Sequence, residues 1–484
     1  MMNLAEAITI NAKARPDHIA IIEGSRVLTY AQLDTHIRSQ AGRLHAKGIR
    51  PGDLVGLCLG DTTEHIVNLY ALAYMGAVIL PMDVRWTNAE RQRVSDHFQA
   101  KLVLVEQDSD RFGTVETVAL DKLPKNGEEP VLRTGNEIPL LLSLSSGTTG
   151  RPKGPRITHY QMLRRFWTHW INLALNSNAR YVSATPLYFG GGRTFAMSVL
   201  FAGGTLVLFP PPFQPDALCR ELARVDATSV FLVPTQLRKL LELPRETLVP
   251  FGRLDLLICS GAPLDTAERV AIDNLCPNFV EYYASTEGGG VTLGTRQTRA
   301  KQPDSVGIPV FGVSVEVVGD DHIPLPPGQI GRLRYRGPGV ATGYYNDEEA
   351  GEDAFRDGWF YPGDLAEIDA SGHVSLRGRS KDMILRGGIN IYPGDIETIL
   401  REHDDVNEAS VVGWKAGLMG EEIAAFVVGT RPLEQAELEA WCKERLAPYK
   451  VPRIFIQVED LPRNSSGKVL KTQLAERLPV FPVA

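Results

Sequence analysis

Residues 145–154 read Ser-Ser-Gly-Thr-Thr-Gly-Arg-Pro-Lys-Gly. The glycines Gly147, Gly150 and Gly154 free the backbone to turn its N–H groups toward an anion. The hydroxyls of Ser145, Ser146, Thr148 and Thr149 and the ammonium of Lys153 supply the donors and charge that a phosphate chain needs. The spacing departs from the usual P-loop, in which GK is followed by Ser or Thr. A surface loop has the same composition. What favours a site is the apolar run 139–144 just before it, which reads as a strand ending in the loop. A second Gly/Lys loop, Pro-Arg-Asn-Ser-Ser-Gly-Lys, spans 462–468. Taken singly, Lys468 reads as a solvated surface lysine and Glu287 as an exposed carboxylate. Asp364 reads as a turn residue in Pro362-Gly363-Asp364, and Trp359, Phe360 and Tyr361 read as core.

Elements that can position these groups follow from the hydrophobic pattern. Apolar runs at 102–105, 140–144, 231–233, 254–258 and 279–283 alternate with helical patterns, which predicts α/β layers around largely parallel sheets. Ligands of such sheets bind at the carboxyl edge of the strands. Segments 145–154, 186–193, 260–264 and 284–290 would lie at that edge and form one composite site. The apolar stretch 69–80 is too short for a membrane span, which takes about 20 residues, and reads as a buried helix. Segments 331–343 and 358–379 are rich in glycine, charge and short alternating strands. A smaller unit then begins, with a helix near 434–446 stopped by Pro448. The expected division is a large N-terminal domain, 1–380, and a small mobile α+β C-terminal domain, 381–484.

The 484 residues exceed one ordinary core. With 43% hydrophobic and 23% charged residues the chain has a globular composition. Its 51 basic against 58 acidic residues give a formal charge of −7 without a long basic run, which argues against nucleic acid as a partner. Cys58, Cys219, Cys259, Cys276 and Cys442 have neither CxxC nor metal-ligand spacing. Residues 1–18 lack the apolar core of a signal peptide. Together these features predict a cytoplasmic protein without structural zinc.

The order of motifs resembles the adenylate-forming superfamily of acyl-CoA synthetases, firefly luciferase and the adenylation domains of nonribosomal peptide synthetases. Leu28-Thr29-Tyr30-Ala31-Gln32-Leu33 resembles an early signature and 145–154 the phosphate loop. Tyr283-Ala284-Ser285-Thr286-Glu287 resembles the next, with Ala284 where glycine is usual. Segments 331–344, 358–364, 378–397 and 462–468 resemble the later ones.

The resemblance implies ATP-dependent activation of a carboxylic acid to an acyl adenylate with release of pyrophosphate, then transfer of the acyl group to a thiol. It implies that Ser145, Ser146, Gly147, Thr148, Thr149, Gly150 and Lys153 hold the outer phosphates. Thr286 would contact the α-phosphate and Glu287 would bind Mg²⁺. Gly261, Ala262, Pro263 and Tyr283 would sandwich adenine, with Glu281 accepting from its amino group. Asp364 would take the ribose hydroxyls, assisted by Arg379. Lys468 would be the catalytic cation of adenylation, and Lys381 the hinge about which the C-terminal domain rotates. Gly387 and Gly388 would let a pantetheine arm pass. The stretch 386–392, RGGINIY, favours CoA as acceptor. A carrier-protein phosphopantetheine remains the alternative, and a nucleotide-binding protein without ligase activity a remote one.

The acyl pocket implied by the same alignment includes Tyr188, Phe189, Gly190, Arg193, Phe231, Val233, Ser260, Gly288, Gly289 and Val291. Its apolar side chains and glycines point to a neutral-bodied aryl or aliphatic acid. Arg193 reads in two ways: a side chain that snorkels to water or pairs with a protein carboxylate, or a clamp for a second substrate carboxylate. Phe189 stands where relatives carry His, or Asp when they activate amino acids, and so argues against an amino acid. Pro155 replaces a commonly aliphatic residue, and nothing in the sequence explains it.

Overall fold

The computed structural model describes residues 3–144, 153–386, 389–415, 421–463 and 467–478. Their contacts group into two compact units. The first comprises Met1–Ser260, Thr266–Val315 and Tyr335–Phe360, and the second Gly261–Asp265, Glu316–Arg334 and Tyr361–Ala484.

The first unit carries two large sheets. In one, the strands Phe279–Ser285, Leu256–Cys259, Ser229–Leu232, Arg180–Ser183, Thr205–Leu208 and Ile19–Glu23 follow one another in parallel. Antiparallel strands Gly289–Thr295 and Arg26–Thr29 flank them. In the other, Thr117–Ala119, Leu102–Val105, Leu54–Cys58, Val78–Pro81 and Pro139–Leu142 are parallel, and Arg156–Thr158 returns antiparallel to the last. The central strands are buried along their whole length, as strands covered by helices on both faces must be. The expected α/β architecture is therefore present.

One local expectation changes. Residues 69–80 are not one helix: the helix Thr63–Met75 ends at Gly76, whose φ of 72° is left-handed, and Val78–Pro81 is a strand. The glycine triplet at 190–192, in a segment expected at the strand edge, forms the first turn of the helix Gly190–Ala202. A Cβ on Gly192 would stand 2.3 Å from the Thr185 carbonyl oxygen, so only glycine lets the helix start against the strand end.

In the second unit, Gly331–Arg336, Asp364–Ile368 and Val374–Arg379 form an antiparallel ladder. Farther on, Glu421–Gly429 pairs antiparallel with Val406–Lys415 and parallel with Ile454–Gln457. Helices Pro393–Arg401 and Gln435–Arg445 contribute Ile396, Leu400, Leu438 and Cys442 to a core with Val411, Ile423 and Val427. This is the expected small α+β body. Strands Asp364–Ile368 and Val374–Arg379 group with the C-terminal residues in the second unit.

Candidate active site

The parallel strands of the sheet that holds Phe279–Ser285 deliver their carboxyl ends to one edge. Segments 184–193, 233–236 and 284–287 leave from that edge. Strand Phe279–Ser285 leads directly into Thr286 and Glu287. Glu287 is only 8% exposed, and the Tyr344 hydroxyl donates to its Oε1 at 3.2 Å. The ring of Tyr344 also lies under the Lys153 ammonium, 4.9 Å from the centroid. One tyrosine thus links the lysine of the phosphate loop to the carboxylate expected to hold the metal. The chain on either side of Tyr344 is fixed to the same strand: Tyr345 N–H donates to the Gly154 carbonyl at 2.9 Å and Arg156 N–H to that of Gly343 at 3.3 Å. Pro155 now has an explanation. Its carbonyl accepts from Ser143 N–H at 3.3 Å and the residue bridges to Tyr344, a position that asks nothing of its missing donor. Ser285 Oγ and the Tyr335 hydroxyl lie 2.5 Å apart, and Gly288 N–H donates to Ser285 Oγ at 2.8 Å, which fixes the turn. Ser145, Ser146, Gly147, Thr148, Thr149 and Gly150 lie outside the described residues, as do Gly387 and Gly388.

Sequence reasoning missed Arg165, whose guanidinium donates to the carbonyls of Thr286 at 3.2 Å and Glu287 at 2.7 Å. The available signal was a charged residue inside the apolar stripe Met162, Phe166, His169 of its helix.

Glu281 departs from its expected role. Arg269 grips both of its oxygens, Nε to Oε2 at 2.8 Å and Nη2 to Oε1 at 2.9 Å, and the pair is buried. A carboxylate held bidentately in the core is a structural ion pair, not an open acceptor for an adenine amino group. Tyr283 packs beside Val291, Tyr335 and Phe360.

The acyl segment also needs correction. Arg193 is 1% exposed, so it does not snorkel, and no carboxylate among the described residues forms an ion pair with it. Its donors reach the carbonyls of Leu187 at 3.2 Å and Tyr188 at 3.1 Å and Ser143 Oγ at 3.1 Å. Burial and the nearby Arg165 charge lower it to about 10. These contacts tie the start of the helix to Leu187 and Tyr188, and the clamp for a second carboxylate is not supported. The glycines do not leave the open space expected of them. A Cβ on Gly191 would meet Phe231 at 2.8 Å, on Gly288 the Tyr335 ring at 2.3 Å, and on Gly289 the Arg165 stem at 3.0 Å. Only at Gly190 is there ordinary clearance, with Ser143 Oγ at 3.6 Å. Phe231 and Val291 are buried, Val233 is half-buried and held through Gln236, and Ser260 follows its strand half-exposed.

Beneath Tyr188 and Phe189 lies an acidic pair that sequence did not single out. Buried Asp61 accepts Leu187 N–H at 2.8 Å, and buried Asp83 holds Arg85 at 2.7 Å. The Arg85 guanidinium stands 5.5 Å from both aromatic rings. Burial, reinforced by Asp83 and Glu106 and opposed by the Leu187 N–H, pushes Asp61 up to about 6.

In the second unit Asp364 and Arg379 face each other across the ladder and form an ion pair of 2.8 Å. Arg379 also donates to the Pro362 carbonyl at 2.7 Å. Lys468 is in their electrostatic company. Desolvation and then Arg379 push its ammonium below the ordinary lysine range, Lys381 adds to this, and Asp364 and Asp382 oppose it. Arg379 and Asp364, the two expected ribose residues, are thus among the charges that act on Lys468. Lys381 sits exposed in the short turn Ser380–Asp382. Gly261 has a φ of 107°, which its place in the Gly261-Ala262-Pro263 turn requires. Arg386 is held by Glu422 at 2.9 Å.

Residues 8–345 match the AMP-binding enzyme family and residues 395–468 its C-terminal domain. The chain belongs to the AMP-binding enzyme family. Among this AMP-binding enzyme's relatives, a feruloyl-CoA synthase of Amycolatopsis is 33% identical over 96% of this chain and 97% of its own. A 2-succinylbenzoate–CoA ligase of Bacillus licheniformis is 32% identical over 96% and 98%. The o-succinylbenzoate CoA synthetase of Bacillus subtilis, solved with its acyl-adenylate intermediate, superposes with a TM-score of 0.89 at 27% identity, covering 97% of each chain. It has also been solved with ATP and a magnesium ion. In this family member, the buried carboxylate of Glu287 beside a phenolic oxygen is a donor set suited to a hard cation such as Mg²⁺.

Proposed function

We propose that this protein is an AMP-forming acid–CoA ligase. The reading is carried by membership of the AMP-binding enzyme family over residues 8–345 and 395–468, and the Asp364–Arg379 ion pair and the presence of Lys468 support it. Relatives that act as CoA ligases support CoA as the acceptor. A carrier-protein thiol is the second acceptor to test.

In the first half-reaction an oxygen of the substrate carboxylate attacks the α-phosphorus of ATP. The bond to the β-phosphate oxygen breaks and pyrophosphate leaves. Two anions meet, so cations and aligned donors must lower the barrier. Lys153 serves the outer phosphates, Thr286 donates to the α-phosphate, and Lys468 stabilises the charge growing at the α-phosphate and the attacking carboxylate. Asp364 accepts from the ribose hydroxyls, oriented by Arg379. Glu287 would hold Mg²⁺, which supplies charge neutralisation at the phosphates when bound. In the second half-reaction the thiolate sulfur attacks the acyl carbon and AMP leaves. Rotation of residues 381–484 about Lys381 withdraws Lys468 and admits the thiol past Gly387 and Gly388.

The unpaired, buried cysteines support a reducing cytoplasm as the enzyme's compartment, and no helix among the described residues is long and apolar enough to cross a membrane. Acid-dependent exchange of labelled pyrophosphate into ATP, followed by CoA-dependent release of AMP and acyl-CoA, tests the reading across a panel of aryl and aliphatic acids. Hydrolysis of ATP to phosphate without exchange overturns it. Exchange without any CoA thioester moves the acceptor to a carrier protein.

A further inference from the structure

Helix His159–Leu173 packs Met162, Phe166, His169 and Leu173 into the core, and Arg165 stands among them at 5% exposure. A guanidinium so placed must be satisfied by the protein. Its Nε donates to the Gly339 carbonyl at 2.8 Å, Nη1 to that of Thr286 at 3.2 Å and Nη2 to that of Glu287 at 2.7 Å. Ala341 N–H donates to the Glu287 carbonyl as well, at 2.8 Å. From the same helix, Gln161 Nε2 donates to the Val340 carbonyl at 2.9 Å. Two chain segments far apart in sequence, 286–287 and 339–341, are thus locked to one planar fork.

The surrounding sequence is shaped for that fork. A Cβ on Gly339 would come within 2.7 Å of Arg165 Cγ, and one on Gly289 within 3.0 Å of Cδ. Lysine has a tetrahedral head and cannot present three coplanar donors to these carbonyls. Glu287 itself is buried and attracts the Arg165 charge, which burial lowers to about 10. The carbonyl side of Glu287 is held by Arg165 and Ala341, while Tyr344 touches its carboxylate.

We propose that Arg165 is a positioning residue for adenylation. By fixing the carbonyls of Thr286 and Glu287 against that of Gly339, it aims the Thr286 hydroxyl at the α-phosphate and presents the Glu287 carboxylate to the divalent cation carried with ATP. This rests on the roles proposed above for Thr286 and Glu287.

The test is Arg165→Lys in the full chain, read in four ways. These are Mn²⁺ affinity in the presence of ATP by electron paramagnetic resonance, pyrophosphate exchange, thioester formation from supplied acyl adenylate, and melting temperature. Groups that orient a metal ligand commonly set its affinity or the activity by about 10–100-fold. Mn²⁺ affinity and exchange should both fall within that range, while transfer from supplied adenylate changes less than about threefold and the melting temperature is nearly kept. Unchanged Mn²⁺ affinity and exchange in a folded variant overturn the proposal. So does equal loss of both half-reactions with a large drop in melting temperature, which marks a purely structural residue. Should Arg165→Lys not fold, Gly339→Ala displaces the stem while keeping the guanidinium, and the same split is required of it. Wild-type protein without acid-dependent exchange counts against the ligase reading, whereas the Mn²⁺ titration still judges Arg165.

Discussion

Lys468 and Asp61 show how surroundings change the meaning of a single charged group. Lys468 reads from sequence as a surface lysine and its side chain is exposed, yet desolvation and then Arg379 push its ammonium below the ordinary lysine range. A cation placed beside a developing negative charge stabilises it. Lys468→Ala should lower pyrophosphate exchange by about two to three orders of magnitude and leave transfer from supplied acyl adenylate much less affected. Equal losses in the two assays would remove Lys468 from adenylation. Asp61 concerns stability. Its folded pKa of about 6 lies above the unfolded carboxylate value, so the folded state binds the proton more tightly. That group's contribution is present at low pH and is lost as pH rises through 6. Asp61→Asn removes the titration and keeps an oxygen for Leu187 N–H. Between pH 5 and pH 8 its stability relative to wild type should improve by about 1.4 kcal/mol, measured by urea unfolding. The same difference at both pH values would show that Asp61 does not titrate there.

Among the elements, the turn Ser380–Asp382 and the helix His159–Leu173 carry different lessons. The turn holds Lys381, the hinge proposed from the sequence, and follows strand Val374–Arg379 directly. Lys381→Pro would fix φ near −65° and should impair thioester formation more than pyrophosphate exchange, measured as separate half-reactions. Exchange failing first would move the pivot elsewhere. The helix was legible as amphipathic, but not as a brace. Its arginine works through carbonyls of segments 120 residues and more away, and no local pattern encodes which carbonyls a buried guanidinium meets. The same holds for the glycine triplet, where Gly192 starts a helix against the backbone of residues 185 and 186.

At the scale of the molecule, distant pieces meet around Phe231, a residue proposed for the acyl pocket. Phe231 fills the space beside Gly191 and lies 5.0 Å from Phe195, so the ring belongs at once to the core and to the acyl segment. Phe231→Ala should cost about 3–4 kcal/mol and shift kcat/KM toward acids of greater bulk, read across a series graded in ring and chain size. A uniform loss across the series would place Phe231 in the core alone.

The fold class and the small C-terminal α+β body were legible in sequence. Periodicity, turn chemistry and short contiguous motifs are local properties, and parallel strands separated by helices leave few ways to arrange their carboxyl ends. Tertiary structure alone decided which charges are satisfied. It gave Glu281 to Arg269, buried Arg193 against carbonyls, set Tyr344 between Lys153 and Glu287, and closed the glycine gaps with Phe231, Tyr335 and Arg165. Each of these depends on which groups meet once water is excluded. A buried donor or carboxylate takes whatever partner the packed chain brings within reach, and that partner lies at a sequence distance no motif records.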